Sequence, residues 1–466
     1  MKLIRAARHV LTFFPSPLLT LVVACTPATT QEEQDPAEEP TLCPALDGAG
    51  KNEPTKHSGA VRGEEVWRAE DSPHLVTGDL DVVEGGKLVI EPCALVRLAA
   101  NANLNVAGPL TPDEGELVAE GSEEEPIRFE RAGESPWGRL FVHHPGTARL
   151  AWVTLDGGGA GDAPRVGETL GARGDGQLPP KPALFVDHVT VSASTGAGVL
   201  VDGGAAFAEG STRLRIEGSG DDEHPYPLVV GEQAIDSVPD GSYTGNRRDE
   251  ILIEPEVVSG GNGIQVDTTM RHHGVPWRVG LLPENSNLQV GSGQDGAHAP
   301  TLTIEAGVTL RFTARTELFV AANDVGPAKL RAVGTQDQPV TFTSAEETPA
   351  PGDWQGLWFA GRASAENRLE HVRIEYTGAG CDCALVTCSA GVETFEAALI
   401  FVEQPRSSFL AHSVIAHAAG HGVFQSWDGA SFDWTSTNEF EDVSGCKQTE
   451  PRRADTWCDE PAPECE

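Results

Sequence analysis

Short runs in which apolar and polar residues alternate recur along the whole chain. The segment TLTIEAGVTLRF (301–312) places Leu302, Ile304, Leu310 and Phe312 on one side. A period of two is the pattern of a half-buried β-strand, because successive side chains of a strand point to opposite faces. Glycine and proline separate the runs, and helical periodicity is nearly absent. The chain is therefore predicted to be all-β.

The same pattern occurs twice in the same order. KLVIEPCALVRL (87–98) precedes TLTIEAGVTLRF by 214 residues, and PHLV (73–76) and PWRV (276–279) stand shortly before each. Four further pairs follow: ELVAEGSEEEPIRF (116–129) with KLRAVGTQDQPVTF (329–342), GRLFV (138–142) with GLWFA (356–360), LAWVTLDGGGAG (150–161) with LEHVRIEYTGAG (369–380), and GAGVLVDGGAAF (196–207) with GHGVFQSWDGASF (420–432). The spacing drifts, as insertions in turns would produce. The sequence predicts an internal duplication.

Consecutive short strands also occur in sandwiches, barrels and propellers. A propeller would show a strict blade period, and a sandwich of this size would need linkers between domains. Neither a strict period nor such linkers are evident after residue 58. The quoted segments closely resemble the right-handed parallel β-helix repeats of secreted and lipid-anchored bacterial proteins, over about 59–440. The resemblance implies coils of roughly 20–25 residues stacked about 4.8 Å apart around inward Leu, Ile, Val and Phe. It leaves the activity open, because this fold hosts lyases, hydrolases, adhesins and inert scaffolds.

The N-terminus predicts export and a lipid anchor. Lys2, Arg5 and Arg8 precede an apolar stretch that ends LVVAC, with Ala24 just before Cys25. This resembles the lipobox of bacterial lipoproteins, in which the cysteine carries the lipid; the alternative is an ordinary signal peptide. By the same resemblance Thr26 favours the outer membrane. No later stretch has the 18 or so continuous apolar residues of a membrane span.

The chain is accordingly divided into five segments. They are a signal peptide (1–24), an acidic Pro-rich tether (25–58), two β-helix halves (59–265 and 266–445) and a Cys-rich cap or tail (446–466). The acid excess, 70 Asp and Glu against 33 Lys and Arg, opposes contact with phosphate backbones. Nucleic acid is therefore not expected as a partner.

Eight cysteines remain beside Cys25, an even number that favours disulfides in an exported chain. They are Cys43, Cys93, Cys381, Cys383, Cys388, Cys446, Cys458 and Cys465. Cys93 replaces the turn glycine of the second copy, Gly307, and a bond to Cys43 would fasten the N-terminal coil. The spacing of CDCALVTC is not a standard zinc pattern.

Two histidine segments suggest catalysis. AGHGV, with His421, resembles the Gly-His-Gly of β-helical polygalacturonases, but the partner segments of those enzymes are not found in order. FVDHVTV, with Asp187 and His188, resembles the Asp-His step of pectate lyases. His188 also has a counterpart in the other copy, His412, so a repeated structural position explains it better than catalysis does. Each histidine thus has a structural alternative.

Ligand contacts are predicted at two further kinds of residue. Asp221, Asp222 and Glu223 form the densest acidic cluster and suggest Ca²⁺, although a solvated loop is the simpler interpretation. Trp277, Trp427 and Trp434 offer rings for stacking on sugars, with core packing as the alternative. No other cofactor is indicated.

The sequence thus favours a surface lipoprotein without catalysis, whose rigid face binds a polysaccharide or a protein. The alternative is a polysaccharide lyase or glycoside hydrolase that acts along the same face. The oligomeric state is left open.

Overall fold

The computed structural model describes residues 42–46, 48, 53–108, 113–280, 287–291, 298–321, 328–379, 396–452 and 464–466, all within one compact unit, Leu42–Glu466. Cys25, Cys381, Cys383, Cys388, Cys458, the predicted signal peptide and most of the predicted tether lie outside the described residues. Within the described ranges, 36 strands and two short 3₁₀ turns (Ala69–Asp71 and Glu232–Ser237) make up the regular structure.

The strands are short and follow one another along the chain. The first nine are β1 (Thr55–Val61), β2 (Glu64–Trp67), β3 (His74–Val82), β4 (Gly86–Ile90), β5 (Leu95–Leu98), β6 (Leu104–Val106), β7 (Gly115–Glu120), β8 (Ile127–Arg131) and β9 (Leu140–His143). The next nine are β10 (Thr147–Asp156), β11 (Leu170–Arg173), β12 (Lys181–Ser192), β13 (Val199–Asp202), β14 (Ala205–Phe207), β15 (Thr212–Glu217), β16 (Leu228–Gly231), β17 (Asp240–Ser242) and β18 (Ile251–Glu254).

The remaining strands lie at the end of the first half and in the second half. They begin with β19 (Val257–Val258), β20 (Gly261–Asn262), β21 (Thr268–Met270), β22 (Trp277–Val279), β23 (Leu288–Val290), β24 (Thr301–Ile304), β25 (Thr309–Phe312), β26 (Glu317–Ala321) and β27 (Lys329–Val333). They end with β28 (Val340–Ser344), β29 (Gly356–Ala360), β30 (Arg368–Glu370), β31 (Val372–Glu375), β32 (Ala397–Phe401), β33 (Leu410–Ala411), β34 (Val414–Ala416), β35 (His421–Gln425) and β36 (Glu439–Glu441).

Each coil contributes one strand to each of three parallel sheets. We call them sheets A, B and C. Sheet A contains β4, β7 and the first part of β10, then β21, β24, β27, β30 and β33. Sheet B contains β5, β8 and the last part of β10, then β22, β25, β28, β31 and β34, and sheet C contains β6, β9, β11 and β13, then β23, β26, β29, β32 and β35. Connections between parallel strands of one sheet are right-handed in nearly all proteins. The predicted right-handed parallel β-helix is confirmed.

The duplication is visible in the strand pairing. Leu150 pairs with Ala119 in the first half, and Leu369 pairs with Ala332 in the second. These are the residues that the sequence alignment equates. All four side chains are buried in one continuous core that runs through both halves. Equivalent residues therefore meet equivalent neighbours, which confirms the internal duplication.

One part of the alignment is wrong by a single residue. Matching GRLFV to GLWFA equates Leu140 with Trp358, but Leu140 lies in the core together with Leu357. Trp358 instead packs outside sheet C against Phe424 and Ile400. A shift of one residue moves a strand's side chains to the opposite face. The aligned glycines, Gly138 and Gly356, concealed that shift.

The two halves do not join sheet to sheet. Sheet C of the first half ends with β16 and β18, and β18 pairs in parallel with β22, which belongs to sheet B of the second half. The register equates Ile251 with Trp277, and Leu252 with Arg278. One outer face therefore continues through the joint, while the neighbouring sheets begin or end there.

Both ends carry a disulfide. Cys43 is bonded to Cys93, with Cα atoms 4.9 Å apart, and Cys93 has a left-handed backbone (φ 64°) like that of its counterpart Gly307 (φ 81°). Cys446 is bonded to Cys465. The predicted Cys43–Cys93 bond is confirmed, and disulfides indicate an exported protein. In the described ranges no helix has the length and apolar character needed to cross a membrane.

Candidate functional site

In several coils the chain turns from sheet A to sheet B at a single outward residue. In three successive coils of the first half this residue is Trp152, His188 or Arg213, with φ values of 53°, 52° and 52°. The second half repeats the arrangement at His371 (φ 49°) and His412 (φ 53°). A left-handed residue interrupts the alternation, so the inward residues on its two sides are three positions apart, as Leu150 and Val153 are, while its own side chain points out.

Side chains from adjacent coils stack along this corner. The rings of Trp152 and His188 lie 3.7 Å apart between centroids and are inclined by only 12°. Arg213 donates from Nε and Nη2 to the Asp187 carboxylate, at 2.9 and 2.7 Å. Its Nε also lies 3.1 Å from Nδ1 of His188. Nδ1 also lies 3.2 Å from Asp187 Oδ1, so this nitrogen faces both a donor and an acceptor.

These four side chains are open to solvent. Asp187, His188 and Arg213 are 25%, 31% and 55% exposed, and Trp152 is half-buried. The other tryptophans in the described ranges are buried. Trp152 is thus the described tryptophan that offers part of its ring to a ligand.

A shallow groove of about 410 Å³ continues along the same corner. Its walls are Phe207, Ala208, Glu209, Gly210, Ser211, Asp236, Ser237, Val238, Pro239, Asp240 and Arg271. Three carboxylates and one guanidinium line it, and Arg271 Nη2 donates to Asp236 Oδ1 at 3.3 Å. We call Trp152, Asp187, His188, Arg213 and this groove the corner surface.

The sequence pointed to part of the corner surface. Asp187 and His188 were predicted as candidates, and the structure adds Arg213 from the next coil and Trp152 from the preceding one. The overlooked signal is the spacing of inward residues: Leu150 to Val153 is a step of three, and a strand would require a step of two. An odd step marks a corner residue.

The three tryptophans predicted to stack on sugars are buried in the core, which corrects that prediction. Trp277 and Trp434 are fully buried and Trp427 is 4% exposed. Trp277 donates from Nε1 to the Arg271 carbonyl, and Trp434 stacks on Phe401 with centroids 5.1 Å apart. The alternation of apolar and polar residues did not reveal which face of these segments points into the core.

His421 holds the C-terminal cap. It is 8% exposed, and its Nδ1 accepts a hydrogen bond from the backbone N–H of Cys446 at 2.9 Å. Cys446 in turn is bonded to Cys465. A ring committed to the cap explains the histidine without catalysis, so the structure does not support the catalytic candidate.

The predicted calcium cluster does not converge. Asp221 Oδ1 accepts the backbone N–H groups of Glu223 and His224, which closes its own loop. Asp222 forms a close ion pair with Arg247. Over the residues that the structure describes, no group of three or more His, Cys, Asp or Glu side chains is placed to hold a metal ion.

Two carboxyl groups lie at the joint and were not anticipated: Glu232 is buried and Glu256 is half-buried. Glu232 accepts the backbone N–H of Glu256 at 3.1 Å, and Glu256 accepts those of Gln233 (3.0 Å) and Gly204 (3.2 Å). Burial raises the pKa of Glu232 to about 8 and also raises the pKa of Glu256. Raised carboxyl pKa values often mark acid–base catalysts. Here both groups accept hydrogen bonds from the backbone, so their role is to fix the joint.

The stacked parallel coils, the inward ladders and the closed ends define a right-handed parallel β-helix repeat protein. Residues 287–378, in the second half, match the family described as pectate-lyase like beta helix domain. No curated protein and no solved structure matches the chain. The match supports the fold, and it does not include the corner surface.

Proposed function

We propose that this protein is an exported lipoprotein that binds a polysaccharide along the corner surface without cleaving it. The observation that carries the proposal is the outward ring of Trp152, stacked on His188 beside a polar groove. An amphipathic ring offers its apolar face to a sugar while the surrounding polar groups bond to hydroxyls. The groove supplies carboxylates, a guanidinium and Ser211 for those bonds.

The coil geometry supports a polymer as the ligand. Corner residues recur at the coil spacing of about 4.8 Å, along a line parallel to the helix axis. Trp152, His188 and Arg213 occupy three consecutive positions on that line, and the groove extends it. A ligand with repeated units can contact several coils at once. The combined affinity of these contacts is then much higher than that of each contact alone.

Replacing Trp152 with alanine is expected to weaken polysaccharide binding about tenfold, because loss of one stacking ring removes roughly 1–1.5 kcal/mol. Affinity electrophoresis through gels with neutral or acidic polysaccharides, with and without Ca²⁺, measures the change. His371→Ala is the matched control, since it alters the equivalent corner of the second half. Equal retardation of the wild type and Trp152→Ala would contradict the proposed site.

A second candidate is a polysaccharide lyase or hydrolase at the same place. The observation in its favour is that Asp187, His188 and Arg213 converge from two adjacent coils. His188 Nε2 would then exchange a proton with the sugar. Release of small oligosaccharides, detected by mass spectrometry and lost in His188→Ala, would replace the binding proposal. An intact polymer supports binding alone.

Anchoring is tested separately. Cys25→Ser is expected to release the protein from the membrane fraction, because the thioether to the lipid requires the cysteine sulfur. Fractionation of cells followed by mass spectrometry of the mature N-terminus measures this change. If the wild type carries no acyl group, the exported protein is soluble and the anchor is excluded.

A further inference from the structure

A cluster of arginines lies where the two halves join, on the outer face that continues from β18 to β22 and β25. Arg278 and Arg311 stand side by side on adjacent coils, since the register pairs them directly. Arg248 approaches from the preceding loop, with Nη1 3.9 Å from the same carboxylate that the other two share. Like charges opposite one another are unfavourable, so such a pairing requires a compensating anion.

Glu250 supplies part of that compensation from below. It is 3% exposed, and its two oxygens accept from Arg311 at 2.7 Å and from Arg278 at 3.1 Å. Both oxygens are therefore occupied, and one negative charge faces three positive ones. The second carboxylate nearby, Glu347, is 88% exposed and lies 3.8 Å from Arg248. The cluster keeps a net positive charge in a protein whose net charge is −37.

Several guanidinium donors in the cluster lack a partner among the described residues. The Nε of Arg278 is buried without a hydrogen bond. Arg311 and Arg248 are 41% and 33% exposed at the side chain, so their outer edges face solvent while Glu250 holds the inner edge of Arg311. On the next coil, the carboxylate of Glu375 is already taken by Arg373 and Thr343. Of the described acidic groups, the exposed Glu347 reaches the outer side, where it pairs with Arg248.

We propose that Arg248, Arg278 and Arg311 form a binding site for an oxyanion of the sulfate or carboxylate type. Guanidinium groups bind such planar or tetrahedral oxyanions through two parallel hydrogen bonds, and the fixed fork keeps the geometry. Glu250 lies beneath the arginines and orients their side chains before the ligand binds. This preorganisation reduces the conformational entropy that the side chains lose on binding. This site is on another face than the corner surface and does not rest on the proposed function.

Equilibrium dialysis of the whole mature protein against labelled sulfate, at ionic strength held constant with chloride, tests the proposal. Arg248→Gln and Arg311→Gln are each expected to weaken binding about tenfold, the effect of one lost charge-assisted contact. Glu347→Gln is expected to strengthen it about threefold, because an exposed competing carboxylate disappears. Arg149→Gln, which removes an exposed arginine paired with Glu120 on sheet A, is the charge control and should bind like the wild type.

Arg248→Gln and Glu347→Gln leave both hydrogen bonds of Glu250 intact, so they test the site even if Arg311→Gln folds poorly. Parallel dialysis with dextran sulfate and neutral dextran shows whether the anion is free or borne by a polymer. Loss of sulfate binding or of dextran sulfate binding in Arg248→Gln supports the site. Trp152→Ala should leave sulfate binding unchanged, which separates this site from the corner surface. Absence of all sulfate and dextran sulfate binding, or equal binding by every variant, would overturn the proposal.

Discussion

Replacing Trp354 with alanine is expected to lower the free energy of unfolding by about 4 kcal/mol, within the range for removing a buried tryptophan. The ring is fully buried and stacks on Phe312 from the adjacent coil, with centroids 4.2 Å apart and an inclination of 9°. Its Nε1 donates to the Glu375 carbonyl at 2.8 Å, so the truncation also leaves a buried acceptor unpaired. Urea unfolding followed by circular dichroism measures the loss.

The duplication supplies a matched control for this prediction. Trp137 occupies the equivalent place in the first half: it is fully buried, and its Nε1 donates to the Asp156 carbonyl at 2.7 Å. Trp137→Ala should therefore cost about as much as Trp354→Ala. A cost below about 1 kcal/mol at either position would contradict the interior placement of both rings.

The second large effect concerns pH and Glu317. This carboxyl group is 8% exposed, accepts one hydrogen bond from Asn287 at 3.1 Å, and has a second oxygen without a partner among the described residues. Burial raises its pKa from 4.5 to about 7. The folded protein therefore holds the proton more tightly than the unfolded chain. The stabilisation is complete below pH 4.5 and is lost as pH rises through 7.

Glu317→Gln replaces the neutral acid with a group of the same shape that does not ionise. Between pH 5 and pH 8 the wild type is expected to lose about 2.5 kcal/mol that the variant retains, since a unit of pKa corresponds to about 1.4 kcal/mol. Glu232, whose pKa is raised to about 8, continues to titrate in both proteins and cancels in the comparison. Urea midpoints at the two pH values give the difference, and parallel pH profiles would refute the assignment.

The fold could be predicted from the sequence because the local alternation of apolar and polar residues agrees with the observed inward and outward faces at almost every strand. Leu117 and Leu330 could be equated from sequence alone, since each lies in an alternating run bounded by turns, and the structure gives them equivalent places in sheet A. Cys93 could be assigned to a left-handed turn because its counterpart is Gly307. Such features depend on residues close together in sequence.

The two proposed binding surfaces were harder to predict because they depend on contacts between coils. Trp277 and Trp152 both lie in or beside alternating runs, yet one is in the core and the other is outside. Their difference follows from a left-handed backbone at Trp152 and from the register between strands. The pairing of Arg278 with Arg311 also required the strand register, because the two residues are 33 positions apart and the joint follows no repeat.

The central claim is that a polysaccharide lies along the corner surface. Amide hydrogen exchange of the protein, measured with and without each of the neutral and acidic polysaccharides, tests it most directly. We expect slower exchange at 152–153, 187–188, 207–213 and 236–240 when a polymer binds, with the equivalent corner around His371 and His412 unchanged. Protection confined to another face, or no protection by any polymer, would contradict the account.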